Sequence, residues 1–176
     1  MFQAHIKISQ DIKTLYRAHL SEKLSEFQKA FEHTGYNQVI ISSGEIKMQF
    51  KDDVMYPFKA NSYFKEWVAL SKRPSCYLQL IEGELKPRLF LFSVEDVWHT
   101  APECLPDGFD TGFDIVEYGS MDDLKVKLNV THKRVAYIGE NNPLELTQKE
   151  CNPENLLTYI DYGRRYKSSY EHHCLR

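Results

Sequence analysis

The sequence predicts an α/β layer fold built on a mixed β-sheet. Three observations lead there. A long amphipathic stretch opens the chain, short β-branched or apolar runs recur through its middle, and helix-capping residues introduce further amphipathic stretches between and after them. At 176 residues the chain fits one domain with a sizeable core.

The first element reads as a helix over Gln10 to Glu32. Leu20, Leu24, Phe27 and Phe31 recur at steps of four, three and four and share one face, with Glu22, Lys23, Gln28 and Lys29 placed elsewhere. Gly35 suits the stop, because a left-handed residue after a helix is cheapest as glycine. His33 stands near that end, at the negative pole of the helix dipole. Val39-Ile40-Ile41, closed by Ser42-Ser43-Gly44, reads as a buried strand. Cys76 to Ile81 and Arg88 to Phe92 are two more strands, and Gly83 in the connection between them argues for an antiparallel hairpin. Phe113 to Tyr118 alternates apolar and acidic residues, as a half-buried strand does. Ser120 caps a helix with Asp122 and Asp123 in its first turn and Leu124 and Leu128 on its apolar side. Val135 to Gly139 is a strand, Pro143 to Lys149 a short helix, and Asn152-Pro153 opens a further helix with Leu156, Leu157 and Ile160 inward. Ser168 and Glu171 have capping-box spacing, so a last helix starts there. It has room for about two turns before Arg176, fewer than the ~12–15 residues an isolated helix needs, as expected of a cut chain or of a frayed natural C-terminus.

One stretch escapes these periods. Asp52-Asp53-Val54-Met55-Tyr56-Pro57-Phe58-Lys59-Ala60-Asn61 runs on to Tyr63-Phe64-Lys65-Glu66-Trp67, mixing adjacent carboxylates, lysines and five aromatic rings. Rings offer large contact area, and charges beside them find partners or stay wet. Such a loop either meets a partner or is pinned by its rings to the core, and composition does not choose.

Composition excludes several classes. Hydrophobic residues make up 42% and charged residues 27%, a soluble globular balance. A net charge of −3, from 22 basic and 25 acidic side chains, gives no support for nucleic acid or an anionic membrane as partner. No apolar run approaches the ~20 residues of a bilayer span. Met1-Phe2-Gln3-Ala4-His5 lacks a basic and apolar leader pattern, so the expected location is the cytoplasm. Cys76, Cys104, Cys151 and Cys174 form no CxxC pair and read as reduced thiols, most of them partly buried.

Read alone, the residues contain no complete active site. Asp52 and Asp53 on a strand would point to opposite faces and would not converge on one ion. His172-His173-Cys174 sits on a predicted helix, where neighbours in sequence do not share a side. His99 reads as a surface group, and Trp98 as core or contact. GxSxG, Walker A, GxGxxG and HExxH patterns are all missing.

The order of residues carries more than any piece. Asp52-Asp53, Tyr56-Pro57-Phe58-Lys59-Ala60-Asn61, Phe64-Lys65-Glu66-Trp67, Lys86-Pro87-Arg88-Leu89, Asp96-Val97-Trp98-His99, Ala136-Tyr137-Ile138-Gly139 and Tyr166-Lys167-Ser168 with Glu171, Cys174 and Arg176 resemble, in this order and spacing, bacterial Xaa-Pro dipeptidase (prolidase), in the branch that includes the organophosphorus acid anhydrolases. The resemblance covers nearly the whole chain. It implies an N-terminal domain over residues 1–165, with a mixed sheet flanked by helices on both faces, of a ribonuclease-H-like kind. Residues 166–176 would start the first helix of a following pita-bread catalytic domain. That domain would hold two divalent ions, commonly manganese, through two aspartates, a histidine and two glutamates, all beyond Arg176. Neither a metal ligand nor a catalytic residue is therefore expected in this chain.

The resemblance further implies a homodimer in which this domain leans over the partner's catalytic cleft. Asp53 would enter the partner's substrate pocket, facing the free ammonium group of a dipeptide, and Trp98 would line the same pocket. Ser42, Ser62 and Val97 depart from the residues usual at those places, which touches loop packing. The reading that competes with this one is a stand-alone α/β binding or assembly module without peptidase activity.

Overall fold

The computed structural model describes residues 9–93, 102–130 and 134–175. Trp98 and His99 lie outside the described residues.

Helix α1 spans Gln10–Thr34, two residues beyond the predicted end, and Ser9 caps it by accepting a hydrogen bond from the Ile12 N–H. It stops at Gly35, whose φ of 73° is the left-handed conformation expected there and whose N–H returns to the Phe31 carbonyl. The strands follow as β1 (Gln38–Ser42), β2 (Cys76–Ile81), β3 (Arg88–Phe92), β4 (Asp114–Tyr118) and β5 (Val135–Ile138). The other helices are α2 (Ser62–Lys65), α3 (Met121–Leu128), α4 (Glu154–Gly163) and α5 (Ser169–Cys174).

The sheet has the order β4-β3-β2-β1-β5. β2 runs antiparallel to both β1 and β3, while β5 and β4 lie parallel to β1 and β3. The predicted hairpin of β2 and β3 is present, and Gly83 in its connection has φ 79°. The sheet is therefore mixed, as the element order requires.

Strand alternation divides the apolar residues between two faces. Val39, Ile41, Leu78, Leu80, Leu89, Leu91, Ala136 and Ile138 face a large core with Leu20, Phe27 and Phe31 of α1 and Leu156 and Ile160 of α4. Ile40, Tyr77, Phe90, Val135 and Tyr137 face a smaller one closed by Leu124 and Leu128 of α3. Helices thus cover both sides of one sheet, which is why β1 is buried along its whole length. At the edge, β4 is less covered than its alternation predicts: Tyr118 is buried but Ile115 is exposed.

Four expectations need correction. Pro143 to Lys149 forms turns and not a helix, because the Asn142 side chain both donates to the Leu146 carbonyl (2.6 Å) and accepts from its N–H (3.0 Å), satisfying groups a helix would use. Asn152 does not cap α4. Its amide pairs with the Gly139 N–H (3.0 Å) and carbonyl (2.8 Å) beyond β5, leaving Pro153 at the cap position without a side-chain bond. Lys23 is not outside the apolar face of α1 but buried in it. The cysteines are free, yet only Cys76 is buried and Cys151 half-buried, while Cys104 and Cys174 are exposed.

Candidate functional site

Between β1 and α2 the chain makes the most exposed apolar structure among the described residues. Met48 and Met55 face each other in an antiparallel bridge. The Gln49 N–H donates to the Val54 carbonyl and the Tyr56 N–H to the Lys47 carbonyl, each at 2.9 Å. These bonds fold residues 47–56 into a small hairpin, turned at Lys51, whose φ is 57°. Phe50 at its turn is 87% exposed, Met48 52% and Met55 50%, and Ile46, Val54 and Tyr56 are exposed beside them. A soluble surface rarely gathers so many apolar side chains on one protrusion without a use for them.

Asp52 and Asp53 stand in the turn of this hairpin and not on a strand, so strand alternation does not govern them. The Asp52 carboxyl titrates below the usual carboxylate range, first through its contact with the Asp53 side chain and then through the Val54 and Asp53 N–H groups. The Val54 N–H lies 3.3 Å from Asp52 Oδ1. Both residues are exposed. The turn therefore presents a carboxylate pair, suited to a cationic group, above apolar flanks.

The second half of the motif does the opposite. Asn61 caps α2 by accepting from the Tyr63 N–H at 3.0 Å, and the Asn61 N–H donates to the Ser43 carbonyl at 2.9 Å. Phe64 and Trp67 are then buried in the large core. Part of the aromatic segment is anchor and part is display. Between the hairpin's foot and the carboxyl ends of the parallel strands β1 and β5 lies a groove of about 650 Å³, lined by Gly44, Tyr56, Phe58, Lys59, Ser62 and Gly139.

Behind the motif sits a polar cluster that sequence reading missed. Glu66, following α2, carries a largely covered carboxylate with Lys23 Nζ at 3.8 Å and a direct bond to Arg164 Nε at the end of α4. Lys23 also meets Glu26 at 3.1 Å. His19, 1% exposed, lies 2.6 Å through Nε2 from the Glu66 carbonyl. A signal existed. Positions 16, 19, 20, 23, 27 and 30 fall on one helical stripe, so α1's period already put His19 and Lys23 inward. Chemical type argued them outward, and they are held because their partners lie far away in sequence.

Among the described residues, no group of three or more His, Cys, Asp or Glu side chains could hold a metal ion. The residues present do not fit a two-ion site. His172, His173 and Cys174 are exposed on α5. Asp53 is placed at the hairpin turn, and Trp98 lies outside the described residues. No helix among the described residues is long and apolar enough to cross a membrane.

This is a class of domain in which a mixed sheet, covered on both faces, displays a short apolar hairpin beyond the end of β1. The sequence profile of the Xaa-Pro dipeptidase N-terminal domain matches residues 14–162, and the chain belongs to that family. It is 36% identical over 169 residues to the Xaa-Pro dipeptidase of Pseudoalteromonas atlantica, covering 95% of this chain and 38% of that protein. It is equally 36% identical over 170 residues to the Xaa-Pro dipeptidase of Yersinia pestis, covering 94% and 38%. The chain thus spans well under half the length of these curated relatives and matches their N-terminal part. Among solved structures, Pseudomonas aeruginosa aminopeptidase PepP superposes with a TM-score of 0.48 at 18% identity, over 82% of this chain and 33% of that one. A variant of Escherichia coli aminopeptidase P gives 0.42 at 16% identity, over 82% and 34%. Likeness of that size adds no weight to the sequence match.

Proposed function

We propose that this chain is the non-catalytic N-terminal domain of a longer, cytoplasmic, metal-dependent enzyme that hydrolyses dipeptides with a C-terminal proline. The hairpin of residues 47–56 carries the reading. Its apolar flanks need a surface to cover them, and its turn offers carboxylates where a dipeptide offers an ammonium group. In a homodimer the hairpin of one protomer reaches the catalytic cleft of the other, Asp53 meets the substrate's amino end, and Trp98 lines the same pocket. Closing the cleft at the amino end restricts substrates to two residues. The chain's own side chains bind and orient; the two divalent ions, commonly manganese, and the chemistry they supply belong to the following domain. Residues 166–176 begin that domain, and α5 ties it to α1.

The test uses the full-length enzyme with manganese and Ala-Pro. Asp53→Asn is expected to raise KM for dipeptides with a free amino end and to leave metal content unchanged. Phe50→Ser combined with Met48→Ser is expected to weaken the dimer in sedimentation. Metal loss on Asp53→Asn, or sustained turnover by the 176-residue chain alone, overturns the division of labour.

A further inference from the structure

The hairpin of residues 47–56 has two unlike faces. Met48 and Met55 stand opposite each other, and the ladder bonds on either side of them run from the Tyr56 N–H to the Lys47 carbonyl and from the Gln49 N–H to the Val54 carbonyl. That is a non-hydrogen-bonded pair, whose side chains lie close together on one face. Lys47 and Tyr56, one step along each strand, share the other face. Lys47 and Tyr56 line the groove at the hairpin's foot together with Gly139 and Glu140 of the turn after β5, and the two methionines do not line it. The polar face is thus the inner one and the methionine face the outer one.

Two side-chain bonds hold the inner face down. Lys47 Nζ bonds to the Glu140 carboxylate, and Asn141 Nδ2 donates to the Glu45 carboxylate at 2.7 Å. Glu45 and Lys47 are alternate residues of the strand that enters the hairpin, and their partners are consecutive residues of one turn. That turn is itself fixed at both ends. The Asn152 amide holds the Gly139 N–H at 3.0 Å and the Gly139 carbonyl at 2.8 Å, and the Asn142 amide holds the carbonyl and N–H of Leu146. A two-stranded ribbon alone is marginal in water, so a protruding one needs an anchor outside itself. The turn after β5 is that anchor.

We propose that Glu140 and Asn141 are positioning residues for the hairpin: they clamp its polar face to the turn after β5, so that the Met48–Met55 face, with Phe50 at the tip, is presented to the other protomer. The proposal rests on the reading in which the hairpin meets that protomer, and the experiment separates the two.

Lys47 and Glu140 are both mostly exposed, so reversing their charges leaves the core untouched. In the full-length enzyme, Lys47→Glu and Glu140→Lys each set like charges against each other and are expected to raise the dimer dissociation constant in sedimentation about two- to tenfold. The double charge swap restores the constant to within about twofold, a rescue that two unrelated losses would not give. Asn141→Asp sets a carboxylate against Glu45 and weakens the dimer in the same direction. In the 176-residue chain, NMR follows hydrogen exchange at the Gln49 and Tyr56 N–H groups, which quickens about threefold in each charge reversal and recovers in the swap. Unchanged exchange in the single variants, or effects that add in the swap instead of cancelling, overturns the clamp. Exchange that quickens and recovers while the dimer constant stays put overturns the hairpin's place in the dimer, and with it the docking role of Glu140 and Asn141.

Discussion

His19 and Ser168 meet in a 2.8 Å hydrogen bond between Nδ1 and Oγ, joining the first helix to the cap of the last. The other ring nitrogen, Nε2, faces the Glu66 carbonyl, which only accepts, so Nε2 carries a proton and donates it there. Ser168 Oγ in turn accepts from the Glu171 N–H, and the Glu171 carboxylate accepts from the Ser168 N–H, completing the capping box. Tyr170 adds a ring contact to Tyr16 at 5.0 Å. A two-turn helix that would be marginal alone is thereby held on α1.

His19→Ala is expected to lower the unfolding free energy by about 2–4 kcal/mol, since it removes buried volume and strands the Glu66 carbonyl. Ser168→Ala should cost about 1 kcal/mol through the lost cap. The double variant should cost less than the sum, by about 1 kcal/mol. Urea unfolding of the four proteins measures this, and strict additivity would show that the two residues do not act through each other.

The Glu66 cluster gives an asymmetric expectation. Glu66→Ala removes the carboxylate that Lys23 and Arg164 share, leaving Lys23 on Glu26 and Arg164 on Asp161, and should cost about 2 kcal/mol, because two largely covered cations each lose a charged partner. Lys23→Met, which fills the same space without a charge, should cost about 1 kcal/mol or less, with Arg164 still on Glu66. Denaturation midpoints with an equal or reversed order would refute a Glu66-centred cluster.

Alkaline pH should unfold the domain. Burial pushes the Cys76 thiol up from 9.0 to about 12 and the Tyr137 hydroxyl up from 10.0 to about 12. Burial also raises Tyr16, Tyr77 and Tyr118. A raised folded-state pKa means that the folded chain holds the proton after the unfolded chain has released it. Stability is therefore full below about pH 9 and falls as pH rises from 9.0 towards 12. Urea midpoints between pH 8 and pH 12 test this, and Cys76→Ala should flatten the early part of the decline.

Gln38 opens β1 with both its amide oxygen and its amide nitrogen buried and without a partner. An unmade hydrogen bond in the interior costs more than a made one returns. Gln38→Met, close in length and volume, should raise stability by about 1 kcal/mol, read as a higher thermal midpoint. A lower midpoint would show that the amide is satisfied in solution.

How much was legible follows from range. The stop of α1 at Gly35, the cap at Ser120, the β2–β3 hairpin and the Ser168–Glu171 box are each decided within a few residues, by φ preference or a short hydrogen bond, and all are found where the residues place them. Asn152 misled because its side chain has a competing partner at Gly139 across the β5 edge, which local cap chemistry cannot weigh. The site divided in the same way. The order of residues from Asp52 to Trp67 carries the family, and yet nothing in that order says that the Asp52–Asp53 end is displayed on a hairpin while Phe64 and Trp67 are buried.

The sequence by itself determined the five strands, the helices α1, α3, α4 and α5 and the family, because backbone preference, capping and side-chain period are local and additive along the chain. Tertiary structure decided which partners let His19, Lys23 and Arg73 stay buried and brought Glu66 and Arg164 together, half-buried, beside Lys23. A charged or polar side chain is buried only when distant groups arrive to satisfy it, and which distant groups arrive is fixed by packing and not by neighbours in sequence.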